Sequence, residues 1–233
     1  MISSDKPVLS IETATPVCSV ALRLPDGSIH EERTEGRGVH SEMTFVFIDR
    51  LLRNAGLGVS GLGAVLISSG PGSYTGLRVG SSAVKGLLFQ TDIPLYACNT
   101  LGGIAVGALR KSGYRTWDTT SEQSIHTVID ARRNHLYHQA WQIGESGAIP
   151  ISKVSIRELD DVLAHWTTGE MVAGTGTGRL YQLAVSRGVD IAGYIPFPGP
   201  EIISAENFFA FADDSVMHKV TPGIFEPEYY AGM

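Results

Sequence analysis

Apolar residues along this chain fall into short runs separated by glycine, proline and polar clusters, a spacing that predicts alternating strands and helices. Val8 to Glu12 reads as a strand and Cys18 to Leu24 as a second, with Pro25-Asp26-Gly27 turning into a third at Ser28 to Arg33. A helix is expected from Ser41 to Asn54, with Ser41 as its cap, Glu42 at its positive end and Ala55-Gly56 closing it. A strand at Ala64 to Ser68, a helix from Gly76 to Gln90 and a strand at Leu95 to Cys98 follow. The order then repeats in outline. Thr127 to Asp130 pairs naturally with His135 to Ile143, as Leu9 to Glu12 pairs with Cys18 to Leu24, and each first strand ends in a carboxylate, Glu12 or Asp130. Met171 to Ala173 reads as a strand, leading through Gly174-Thr175-Gly176-Thr177-Gly178 into a helix from Arg179 to Arg187. Residues 111 to 124 look like a polar connector, Pro196-Phe197-Pro198-Gly199-Pro200 interrupts regular structure, and a terminal helix is expected from Ser204 to Met217.

The helix at 41 to 54 is apolar on more than one side. Phe45, Ile48 and Leu52 follow one helical spacing, while Met43, Phe47 and Leu51 follow another. One stripe suffices to dock a helix on its own sheet, so the second is expected to meet a partner; the alternative is a helix buried on both sides within one large domain. In the helix at 76 to 90, Gly76, Gly80, Ala83 and Gly86 are small, and each interior glycine costs about 1 kcal/mol relative to alanine. Close packing against another helix would offset that. The expected partner interface is therefore Met43, Phe47, Leu51, Gly76, Gly80 and Ala83.

Between these elements lies the most specific string of the chain, Gly70-Pro71-Gly72-Ser73-Tyr74-Thr75-Gly76-Leu77-Arg78-Val79-Gly80. Its glycines permit backbone angles and close approaches that a side chain would block, and Ser73 and Thr75 are natural helix caps. Such a turn either presents N–H groups to an anion or simply reverses the chain between strand and helix. It has neither the spacing of a P-loop nor that of a Gly-x-Ser-x-Gly nucleophile elbow.

Composition narrows the picture. The 233 residues allow one large domain or two small ones, and 43% hydrophobic with 18% charged residues is ordinary for a globular protein. A net charge of −6 argues against an autonomous nucleic-acid surface, so an RNA substrate would have to be held with a partner. No run approaches the ~20 apolar residues of a membrane span, and the N-terminus lacks a signal-peptide core. Cys18 and Cys98 are in no metal or redox spacing, which fits reduced thiols and a cytoplasmic location.

The string at 70 to 80 resembles the signature of TsaB, the bacterial tRNA threonylcarbamoyladenosine biosynthesis family. Ser10 to Thr15 followed by Cys18 to Leu22, then His40-Ser41-Glu42, Ile129-Asp130-Ala131-Arg132 and the tail Pro227-Glu228-Tyr229-Tyr230 agree with it in order and spacing. The resemblance covers most of residues 8 to 135 and the tail, and is thin between about 140 and 200. It implies an α/β fold of tandem actin-like ATPase (ribonuclease H-like) subdomains, with mixed sheets flanked by helices. The first subdomain is expected at 1–105, rejoined by 204–233, and a degenerate second at 106–203.

The resemblance further implies an accessory subunit, dimeric alone, that pairs through its first two helices with TsaD, the larger relative. TsaD transfers threonylcarbamoyl to N6 of adenosine 37 of tRNA, and TsaE is the ATPase partner. ATP and Mg²⁺ would then enter through partners, with no cofactor in the isolated chain, no membrane, and tRNA met only through the complex. Glu12, Thr13, Asp130, Gly174 and Gly176 fall where an actin-like ATPase holds nucleotide, but Arg132 and Arg133 replace the glycines of the second phosphate turn, so the site is expected to be vestigial. The His-x-x-x-His metal pair of TsaD-like relatives is absent, because Thr44 stands four residues after His40. No catalytic and no metal residues are expected. The rival readings are a small actin-like ATPase or kinase, and a homodimeric scaffold or peptidase-like binding module outside tRNA modification.

Overall fold

The computed structural model describes residues 5–36, 38–112, 124–144, 147–165, 170–189, 195–197, 199–211 and 215–230. The chain divides into two units, one of Met1–Gly103 with Ser204–Tyr229 and one of Ile104–Ile203 with Tyr230–Met233.

The first unit begins with β1 (Val8–Glu12), β2 (Val17–Arg23) and β3 (Ile29–Glu35), an antiparallel meander. Next come α1 (Val39–Asn54), β4 (Ala64–Gly70), α2 (Tyr74–Leu87), β5 (Leu95–Asn99) and α3 (Thr100–Ser112), within which the division between units falls. Strands β4 and β5 run parallel to β1, so the mixed sheet begins as β5-β4-β1-β2-β3. Every residue of β1 and β4 is buried, as expected of strands covered on both faces. At the edge, β3 alternates and carries Glu31, Glu32, Arg33 and Glu35, charges that discourage edge-to-edge pairing. On one face Leu9, Ile11, Val20, Leu22, Val65 and Ile67 pack against Phe47, Ile48, Leu51 and Leu52 of α1 and Val84 of α2. On the other, Val8, Ala64, Leu66 and Cys98 pack against Phe208 and Met217.

The second unit holds β6 (Ser124–Asp130), β7 (His135–Gly144), β8 (Gly147–Pro150), β9 (Ser155–Glu158), α4 (Leu159–Ala164), β10 (Met171–Ala173), α5 (Thr177–Arg187) and β11 (Ile195–Phe197). Its sheet runs β11-β10-β6-β7-β8, with β9 also pairing β7. Val128, Leu136 and Val172 form a core with Leu159 and Val162 of α4 and Leu180 of α5. The fully buried Trp141 donates its indole N–H to Thr127 Oγ1 at 2.7 Å, which satisfies its one polar atom.

Several local expectations are corrected. Ser41 does not cap α1: the cap is Gly38 in the left-handed region, and the Ser41 hydroxyl donates to the Gly38 carbonyl. Of the two candidate caps of α2, Ser73 serves, its oxygen accepting from Gly76 N, whereas Thr75 lies within the helix. No helix spans 204 to 217. A 3-10 segment at Ala205–Ala210 is followed by β12 (Met217–Val220), which extends the first sheet antiparallel to β5. Tertiary bonds override the helical pattern there: Ser10 Oγ donates to Ala205 O, Ala205 N donates to Ser19 Oγ, and Phe208 is buried against Gly103. The proline-rich stretch includes the sheet-edge strand β11, where the missing N–H of Pro196 is tolerated. Most of the expected connector at 111 to 124, Trp117-Asp118-Thr119-Thr120-Ser121 among it, lies outside the described residues.

Candidate functional site

The string at 70 to 80 closes over the hairpin that joins β1 to β2, and its glycines explain how. A Cβ on Gly72 would lie 2.2 Å from Ala14 O, and one on Gly76 2.0 Å from Thr13 O. One on Gly80 would lie 2.4 Å from Thr13 Oγ1. Only glycine lets this loop and the first turns of α2 come so close to the hairpin backbone. Ser73 N then donates to Ala14 O at 2.6 Å.

The hairpin's own donors are committed internally. Thr13 N donates to Ser68 Oγ at 3.1 Å, while Ala14 N and Thr15 N donate to Glu12 Oε1 at 2.8 and 3.1 Å. His40, at the start of α1, sets its Nε2 2.9 Å from Thr15 O, and Thr44 donates its hydroxyl to His40 O. His40 is thus a hairpin support. Glu12 is buried, and desolvation lifts its carboxyl from 4.5 to about 7 against those hydrogen bonds. Its Oε2 and Thr13 Oγ1 are buried with no hydrogen-bond partner. The place where an actin-like ATPase would present amides to a phosphate is therefore filled by the Glu12 carboxyl group on one side and by the loop on the other. A phosphate does not fit these residues.

The chain's tail fastens the loop from outside. Glu228 N donates to Ser69 O at 2.7 Å, Ser81 Oγ donates to Phe225 O, and Lys85 pairs with Glu226 at 2.7 Å. Gly70, with φ 125°, passes so near Glu228 O that a Cβ would lie 2.7 Å from it. Tyr229 rests on Tyr74, whose ring also carries the Arg78 guanidinium at 4.5 Å. The tail motif was visible in the sequence; its partners were not.

In the second unit, Asp130 ends β6 as expected, and its carboxylate is taken. Arg179 of α5 reaches Asp130 Oδ1 at 2.5 Å, and Arg132 N donates to the same oxygen at 2.8 Å. Gly174, with φ 116°, and Gly176 pack on β6 and β7: a Cβ would lie 2.2 Å from Val128 O of β6 at the first and 2.6 Å from Leu136 Cδ2 of β7 at the second. These two glycines serve strand-to-helix packing. Arg179 was missed because a lone arginine one turn into a helix carries no pattern. Among the described residues, no group of His, Cys, Asp or Glu is arranged to hold a metal ion, and no helix is long and apolar enough to cross a membrane.

Of the six residues expected at a partner interface, five are buried within the first unit and Met43 is half-buried. Phe47 and Leu51 are in the core under α1, and Met43 packs against it. Gly76 and Gly80 face the hairpin, and Ala83 is fully buried. The outward side of α1 instead bears Phe45 and Val46, 51% and 42% exposed. On α2 the side away from the sheet carries Thr75, Arg78, Ser82 and Gly86, and the 72%-exposed Phe89 follows just beyond its end.

A family model described as "TsaD: tRNA N6-adenosine threonylcarbamoyltransferase" matches residues 35–173. The tRNA threonylcarbamoyladenosine biosynthesis protein TsaB of Haemophilus influenzae is 32% identical over 130 residues, 56% of this chain and 51% of that protein. Its namesake in Escherichia coli is 31% identical over 140 residues, 60% of this chain and 57% of the relative. The chain thus spans a little over half the length of these curated relatives. Among solved structures, YeaZ from Pseudomonas aeruginosa superposes with a TM-score of 0.76 at 25% identity, covering 97% of this chain and all of that one. With the family model matching more than half of the chain, the chain belongs to the family described as TsaD, tRNA N6-adenosine threonylcarbamoyltransferase, and within it resembles the TsaB proteins.

Proposed function

We propose that this chain is a non-catalytic accessory subunit that binds and stabilises a TsaD-like subunit in threonylcarbamoyl transfer to N6 of adenosine 37 of tRNA. The observation that carries this reading is the filled first hairpin, whose amides serve Glu12 and Ser68 and whose approach is closed by Gly72 and Gly76. A chain whose phosphate turn is occupied by its own atoms acts through what it binds. ATP and Mg²⁺ enter with the partners, a TsaD-like subunit and a TsaE-like ATPase, and alone the chain pairs with itself over the same surface.

That surface is the outward side of α1 and α2, which lie on one face of the sheet. Phe45, Val46 and Phe89 supply apolar anchors, and Ser82 and Gly86 permit close approach of a partner helix. A charge at such an anchor costs about 2 kcal/mol or more of binding, roughly 30-fold in affinity. Phe45→Asp is expected to weaken association with the TsaD-like subunit and threonylcarbamoyl incorporation into tRNA, with circular dichroism unchanged. Phe47→Asp is expected to unfold the first unit instead. Full incorporation by a folded Phe45→Asp chain would place the interface elsewhere, and incorporation that needs no copy of this chain would refute the accessory role.

A further inference from the structure

At the turn between β6 and β7, two adjacent residues, Arg132 and Arg133, have φ of 69° and 51°. Left-handed backbone suits glycine or asparagine, and a pair of arginines there is a local conflict that points to a use for their side chains. Neither guanidinium has a hydrogen bond or ion pair among the described residues, and both are exposed. The turn itself is well held: Ala131 N donates to His135 O, His135 N to Arg132 O, and Arg132 N to Asp130 Oδ1.

The surroundings favour an anion. Arg179 neutralises Asp130, and Arg157 stands opposite Leu136 on the neighbouring β9. Glu158, opposite His135, and Asp161 of α4 are the nearby acids, while Asp160 is paired with Arg187, so five arginines stand against four carboxylates with Asp130 counted. On a chain of net charge −6 this tip is a local excess of guanidinium groups. Adjacent Cα atoms are about 3.8 Å apart, so two such forks can engage neighbouring phosphates.

We infer that the Arg132-Arg133 turn contacts the sugar–phosphate backbone of tRNA in the assembled complex. The inference rests on the tRNA-modification reading and adds a direct contact to it. Phosphate contacts position an RNA without reading its sequence, which fits a subunit that does no chemistry.

The test uses the complex reconstituted from this chain and a TsaD subunit, with an unmodified tRNA transcript followed by fluorescence anisotropy between about 50 and 200 mM salt. Arg132→Gly with Arg133→Gly keeps a backbone that favours the turn, so its melting temperature is expected to equal or exceed the parent's. The tRNA affinity of its complex is expected to fall about tenfold, with the salt slope smaller by about 2, one per phosphate contact. Lys219→Ala, an exposed charge in the other unit, is expected to change neither. A double variant that assembles and binds tRNA with unchanged affinity and slope overturns the inference. One that no longer joins the larger subunit also overturns it, because the turn is then a protein contact. A parent complex that neither binds nor modifies tRNA strikes the functional reading itself, a failure visible before any variant is made.

Discussion

Replacing Gly76 by alanine sets two effects of known size against each other. Alanine is favoured over glycine in a helix interior by about 1 kcal/mol, and Gly76 does not lie at positive φ, so its backbone suits alanine. Against this, the new Cβ would lie 2.0 Å from Thr13 O, when ordinary contact begins beyond 3.4 Å. A backbone carbonyl cannot rotate aside, so the hairpin and α2 must part by roughly 1 Å or more, an overpacking that typically costs about 1–3 kcal/mol. The parting also stretches the 2.6 Å bond from Ser73 N to Ala14 O, worth about another 1 kcal/mol. The net expectation for Gly76→Ala is a loss of about 2 kcal/mol, which lowers the melting temperature by roughly 4–8 °C in a protein of this size. Gly86, near the end of the same helix, has open space where a Cβ would stand, with nothing of its own chain within 4 Å, so at concentrations too low for self-pairing Gly86→Ala keeps the propensity gain alone. It is expected to raise the melting temperature by about 2–4 °C. Differential scanning calorimetry of the two variants decides the matter. If Gly76→Ala stabilised as Gly86→Ala does, the contact between the loop and the hairpin would not exist as described.

Two further outcomes follow from the hairpins. Burial raises Glu12 from 4.5 to about 7, so the folded chain holds a proton that the unfolded chain releases between those values. The stability this confers is present below about pH 4.5 and lost as pH rises through about 7, a change on the order of 3 kcal/mol. Glu12→Gln retains an oxygen for Ala14 N and Thr15 N and is expected to flatten that decline; parallel melting profiles for parent and variant from about pH 5 to about 8 would refute the assignment. The purified chain is expected to show no steady-state ATP hydrolysis with Mg²⁺, and turnover that vanished in Asp130→Ala would restore the kinase reading.

The strands were legible because their evidence is local. Runs such as Val8–Ile11 and Ala64–Ile67 are dominated by apolar, largely β-branched residues, and the turn at Asp26-Gly27 announces itself. Which side of α1 faces the core was not legible. Phe45 and Val46 are as apolar as Phe47 and Ile48, so periodicity offers overlapping stripes, and only the sheet beneath selects Phe47, Ile48, Leu51 and Leu52. Gly76 and Gly80 suggested a helix–helix seam, whereas their neighbour is Thr13, a contact across more than 60 residues that no window of sequence contains. The segment at 204 to 217 failed for the same reason: bonds to Ser10 and Ser19 and the pairing with β5 are tertiary and outweigh its helical spacing.

The two hairpins that would cradle phosphates in an actin-like ATPase are shaped by different physics. The first is closed by packing: its amides meet Glu12 and Ser68, and three glycines bring the loop and α2 down upon it, so a ligand would have to displace backbone. The second is open to solvent and shaped by charge and conformation. Its carboxylate is held by Arg179 in a pair 31% and 42% exposed, and exposure of that order limits the pair to about 1 kcal/mol or less. Two left-handed arginines cost about 1–2 kcal/mol each, more than that pair returns. The turn therefore stands on the β6–β7 ladder and its own backbone bonds rather than on the ion pair. Its arginines are a local cost that the fold tolerates: Arg132 holds the hairpin through its backbone N–H and carbonyl, and neither guanidinium group is needed for that. That separation between what folds the turn and what the turn displays is the physical ground for assigning the display to a ligand.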